Sequence, residues 1–88
     1  MITARQSRAA RALLGWTQET LADKARIALT ALKRLESANG LEVYETTRDQ
    51  MRRALESAGI VFLSTDRGQG VLLVDDRGNN PNRSKPSR

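Results

Sequence analysis

The chain has 88 residues, which bounds it to one small domain with a single modest core, a size often stabilised further by a partner subunit. It contains no Cys and no His, and its carboxylates are not clustered, so it lacks disulfides, thiolate metal sites and the usual catalytic bases; no enzyme, catalytic residue, metal site or cofactor is expected. The net charge of +5, of which residues 1–74 carry +3 from eleven Lys/Arg against eight Asp/Glu, favours a polyanionic partner, and with no long apolar run for a leader or a membrane span the cytoplasm is the default location.

Thr3 with Gln6 three residues later is a capping-box signature for a first helix, expected to turn Ala9, Ala10, Leu13 and Leu14 inward and to end near Gly15. Arg5, Arg8 and Arg11 fall on its other side and read as a solvated face, with contact to a phosphate by one of them as the alternative. Trp16 sits at a helix junction among apolar neighbours and is expected to plug the core there. Thr17 then caps a second helix, whose first turn holds Gln18 and Glu19 beside free backbone N–H groups.

The stretch Thr17–Glu36 reads as two short helices with a tight connection. Leu21, Ala22, Ala25, Ile27, Leu32 and Leu35 form one apolar stripe along both, leaving Leu29, Thr30, Lys33 and Arg34 outside. A polar, basic helix face just after a tight turn suits a DNA major groove, where Thr30 can bond either kind of base pair, Leu29 can meet a thymine methyl and Arg34 can grip guanine with two bonds. Asn39 and Gly40 are expected to stop this third helix as a left-handed cap. Leu41–Thr46 reads as a connection with at most a helical turn, Leu41, Val43 and Tyr44 packing back. Thr47 and Gln50 repeat the capping-box spacing before a strong helix with Met51, Leu55 and Ala58 inward, Arg52 and Arg53 outward and Gly59 at its end.

After Gly59 the period changes. IVFLS and VLLV, separated by TDRGQG, predict a β-hairpin. A lone hairpin is marginal in water, so it either closes the core or pairs with its equivalent in a second subunit. The second option is favoured here, with Ile60, Val61, Phe62, Leu63, Val71, Leu72 and Leu73 as the dimerisation element. From Asp75 no apolar anchor remains, and residues 75–88 are expected to form a disordered basic tail.

The pattern Gln18, Leu21, Ala22, Leu35, Glu36 resembles the lambda-repressor and Cro type of regulators, the XRE group. The resemblance implies a mainly α fold: a four- to five-helix helix-turn-helix domain over residues 1–59, here followed by the hairpin at 60–74 and the tail at 75–88. It implies a DNA-binding transcriptional regulator or repressor, working as a homodimer on double-stranded DNA. The DNA-binding set is then Thr17, Gln18, Ala28, Leu29, Thr30, Lys33 and Arg34; Gln18 binds phosphate and braces the third helix, and Lys33 lies near phosphate. Two positions depart from the family. Arg26 replaces the usual turn Gly, where a left-handed backbone costs about 1 kcal/mol, so a different turn path is expected. Ala28 replaces the usual Ser or Thr cap and forgoes roughly 1 kcal/mol. A protein-binding antiactivator or antitoxin on the same scaffold is the alternative, suggested by the apolar start Ala28, Leu29, Ala31.

Overall fold

The computed structural model of the chain describes residues 2–37 and 44–74. Its elements are α1 (Ala4–Leu14), α2 (Gln18–Ala25), α3 (Leu29–Glu36), α4 (Glu45–Ser57), β1 (Ile60–Thr65) and β2 (Gly68–Leu73). The fold is therefore mainly helical with a C-terminal antiparallel hairpin. Leu41 and Val43 of the expected connection, Asn39 and Gly40 of the expected cap, and the basic tail lie outside the described residues.

α1 begins with the expected capping box: Thr3 Oγ1 accepts from the Gln6 N–H at 3.1 Å, and Gln6 Oε1 accepts from the Thr3 N–H at 3.2 Å. It ends at Gly15, whose φ of 71° is left-handed. Its inward face differs from the expectation. Gln6, Ser7 and Ala10 are buried and Leu14 packs on the core, whereas Ala9 is exposed and Leu13 is 48% exposed. At 3.6 residues per turn, positions 7, 10 and 14 share a stripe whose centre lies about a quarter turn from 13 and more than a third of a turn from 9. Polar Gln6 and Ser7 can hold that stripe because distant groups satisfy them: Gln6 Nε2 donates to Leu63 O at 3.1 Å and Gly70 O at 3.0 Å, and Ser7 Oγ donates to Glu36.

α3 ends at Glu36 with Ser37 extended at φ −68°, ψ 150°, so the helix stops before reaching the Asn-Gly pair. α4 starts at Glu45, two residues before the expected cap. Thr47 lies in its first turn and donates its N–H to Tyr44 O at 3.0 Å, so the Thr47–Gln50 spacing is not a capping box. Glu45 stabilises this earlier start by placing negative charge at the helix's positive end. Tyr44, the residue before the helix, is 82% exposed and does not pack back. Met51 and Leu55 are fully buried, while Arg52 and Arg53 lie outward and pair with Asp49 at 2.6 Å and 2.9 Å.

The hairpin register runs without interruption from Ile60↔Leu73 to Thr65↔Gly68. Its connection is only Asp66–Arg67, not the six residues TDRGQG; Gly68 and Gly70, which read as loop punctuation, are strand residues. Neither turn residue has positive φ, so the favoured mirror-image hairpin turns are not used. One face closes the core: Ile60 is buried, and Phe62, Val71 and Leu73 pack against the buried apolar cluster. The other face leaves Val61, Leu63 and Leu72 at 42%, 46% and 51% exposure. At the hairpin base, Gly59 has φ 106°, Val74 donates its N–H to Gly59 O at 2.8 Å, and a Cβ on Gly59 would stand 2.9 Å from Val74 O. Among the described residues no helix is long and apolar enough to cross a membrane.

Candidate functional site

α2 and α3 are eight residues each and meet at a tight connection. Thr17 caps α2 through its hydroxyl, which accepts the Thr20 N–H at 3.0 Å. At the other end Arg26 adopts φ 59°, ψ 47°, the left-handed conformation that a Gly would take. Its N–H reaches Asp23 O at 3.2 Å and the Ile27 N–H reaches Ala22 O at 3.0 Å, closing the helix end. The expected alternative path for the turn is therefore not taken; these bonds and the burial of neighbouring Ala25 hold Arg26 in place despite its Cβ.

Ala28 then enters α3 with extended backbone and no side-chain cap. Leu32, Leu35 and Glu36 are buried beneath the helix, and Thr30, Lys33 and Arg34 are exposed on its far side. No other side chain among the described residues bonds to the Thr30 hydroxyl, the Lys33 ammonium or the Arg34 guanidinium. Leu29 differs from the expectation: it is half-buried and packs against the core, because the first turn of α3 leans on the same stripe as Leu32. Of the seven residues expected to contact DNA, Thr17, Ala28, Thr30, Lys33 and Arg34 are exposed, and Gln18 and Leu29 are half-buried.

What fixes α3 is a polar cluster around Glu36. Arg11 donates from Nη2 to Oε1 at 2.8 Å and from Nε to Oε2 at 3.0 Å, a two-pronged ion pair. Ser7 Oγ donates to Oε2, and Gln18 Nε2 donates to Oε1 at 3.1 Å. Arg8 caps the backbone end of α3 by donating to Glu36 O, and Arg11 also donates to Trp16 O at 3.2 Å. Burial alone would raise the Glu36 pKa, but the bonds from Arg11, Ser7 and Gln18, helped by the Arg11 charge, outweigh it and hold the carboxyl below its ordinary value. Among the described residues no buried side-chain polar atom lacks a partner.

The cluster joins α1, α2 and α3 through residues that the sequence offered only separately. The expected solvated row holds for Arg8 only in that it is exposed; it and half-buried Arg11 both bond to Glu36. The available signal was that Ser7 and Arg11, four apart, lie on one side of α1 and that Glu36 closes an otherwise apolar stripe. Trp16 is half-buried against the core, with Lys24 Nζ 5.5 Å from its ring centroid, so it seals the edge of the core and does not fill its centre.

Of the seven expected dimerisation residues, Ile60 is in the core, Phe62, Val71 and Leu73 are half-buried against it, and Val61, Leu63 and Leu72 face outward. No protein-family model matches the chain, and no curated protein gives a significant match to it.

Proposed function

We propose that the chain is a sequence-specific DNA-binding transcriptional regulator of the helix-turn-helix kind, acting in the cytoplasm as a homodimer and placing α3 in the major groove. The observation that carries this reading is the division of α3 into a locked inner face, Leu32, Leu35 and Glu36, and an exposed outer face, Thr30, Lys33 and Arg34, whose polar groups bond to no other side chain among the described residues. A groove-reading helix needs both: a fixed axis, and donors free to meet base edges. The bond from Gln18 to Glu36 supports the bracing role that the resemblance to the lambda-repressor and Cro type implies for that residue. The net charge of +5 supports a polyanion as partner. The competing reading as a protein-binding module leaned on Leu29 as an exposed anchor, and its packing on the core weakens that argument.

Selection of binding sites from random duplex DNA, followed by mobility shifts on the selected sequence, tests the proposal. Arg34→Ala is expected to cost about 1–3 kcal/mol and to relax one base position, whereas Gln18→Ala weakens all sequences alike. Affinity should fall steeply with added salt. Only weak, sequence-independent association at physiological salt, or an Arg34→Ala variant with intact affinity and preference, overturns the reading.

A further inference from the structure

We infer that Arg26, in the turn between α2 and α3, binds a phosphate of the DNA backbone at the wall of the groove that α3 enters. The contact rests on the DNA-reading role proposed for α3 and adds a residue to the seven expected to touch DNA. Among the described residues Arg26 is the one non-glycine with positive φ, at φ 59° and ψ 47°. Glycine takes this left-handed region freely, whereas a Cβ is crowded there by the following carbonyl. The bonds that close the turn, from the Arg26 N–H to Asp23 O and from the Ile27 N–H to Ala22 O, are main-chain bonds that a glycine would make equally well. The Arg26 side chain adds nothing to them. It is exposed, and its guanidinium has no hydrogen bond, ion pair or ring contact among the described residues. The fold thus bears the crowding of this Cβ without any contact from the side chain in return, a pattern met where strain serves a ligand.

The distribution of charge points to an anion as that ligand. Of the eleven Lys/Arg in residues 1–74, six are engaged: Arg8 and Arg11 on Glu36, Arg48 on Ile2 O, Arg52 and Arg53 on Asp49, and Lys24 over the Trp16 ring. Of the other five, Arg5 belongs to α1 and Arg67 to the hairpin turn, whereas Arg26, Lys33 and Arg34 fall within nine residues, in the turn and on α3. Unneutralised charge gathered in this way draws a polyanion.

Dimensions separate phosphate from base as the group that Arg26 meets. An α-helix with its side chains is about 10–12 Å across and fills a major groove about 12 Å wide. Residues on the outer face of α3 then meet base edges, whereas a residue in the turn just ahead of Leu29, where α3 starts, stands at the groove wall, which is lined by phosphates. A guanidinium fork fits a phosphate with two parallel bonds.

Titration of the full chain with its selected operator and with a scrambled duplex, between about 50 and 200 mM salt, tests the contact. Arg26→Gln and Arg26→Lys keep the Cβ, and so the same backbone crowding, but differ in charge. Arg26→Gln should weaken binding to both duplexes by the same factor, about tenfold, and lower the slope of log affinity against log salt by about 0.9. Arg26→Lys should stay within about threefold of the wild type with an unchanged slope. Arg26→Gly removes crowding and charge together: it should unfold at a temperature no lower than the wild type and yet bind as weakly as Arg26→Gln, which separates loss of contact from loss of fold. An Arg26→Gln variant with wild-type affinity and slope, an Arg26→Lys variant as weak as Arg26→Gln, or a base preference altered by Arg26→Gln overturns the inference. If the wild type selects an operator that Arg26→Gln binds undiminished, the contact falls and DNA recognition stands. A wild type that selects no sequence overturns the recognition reading and the contact with it.

Discussion

α1 and α3 are held by opposite means. α1 is finished at both ends, by the Thr3–Gln6 box and by left-handed Gly15. α3 has no side-chain cap at its start, where Ala28 offers no acceptor, and its end is met from outside the helix, by the Arg8 guanidinium of α1 donating to Glu36 O. An eight-residue helix without an N-terminal cap is far below the length that is stable alone, so α3 owes its existence to its inner face and to the α1 side chains that meet it. The comparison shows that a helix can leave its outer surface uncommitted when burial and a polar cluster carry its stability.

The strongest way to break this arrangement is at Glu36. Glu36→Ala strands the half-buried Arg11 guanidinium and removes acceptors from Ser7 and Gln18, so a loss of about 3–5 kcal/mol is expected in urea unfolding. An outcome under about 1 kcal/mol would mean that apolar packing alone holds α3. The same carboxyl gives a pH signature. Since its pKa is lowered in the folded state, the stability it contributes is present above its ordinary value of 4.5 and disappears as pH falls through the folded value. The gap between wild type and Glu36→Gln should therefore be widest near neutrality and narrow in acid; a gap independent of pH would show that charge is not what Arg11 reads.

Smaller effects are expected at the helix ends, and there the two helices should respond with opposite signs. Thr3→Ala removes the α1 cap and should destabilise by about 1 kcal/mol, more if its bond to Gln69 also matters. Ala28→Ser, at φ −69° and ψ 140° suited to a cap, should stabilise by about 0.5–1 kcal/mol. Thermal unfolding that moved the same way in both would contradict the contrast. The smallest change is Arg26→Gly, which relieves the left-handed Cβ: a gain of up to about 1 kcal/mol, offset in part by the freer unfolded chain.

The order of elements, the α1 box, the Thr17 cap, the α4 stripe and the hairpin were legible because each follows from local chemistry within a few residues. What was not legible depends on partners remote in sequence. Gln6 looks like a cap residue only, until Leu63 and Gly70 carbonyls 57 and 64 positions away make it a core residue too. Arg11 looks like part of a surface row until Glu36, 25 positions on, draws it inward. Leu13, a strong hydrophobe, drew a wrong inference because periodicity fixes spacing but not phase once polar residues are buried. In the site, exposed Thr30, Lys33 and Arg34 follow from helical phase; half-buried Leu29 and the whole Glu36 cluster do not.

The segregation within α3 bears on how such a chain diversifies. Thr30, Lys33 and Arg34 are exposed, while their neighbours Leu32, Leu35 and Glu36 anchor the helix. Exposed positions without native partners tolerate exchange within about 0.5 kcal/mol. Selection can thus rewrite the outward alphabet of this helix one letter at a time, each intermediate remaining a folded protein. Under the DNA-reading role proposed for α3, a new specificity is reachable through such single steps.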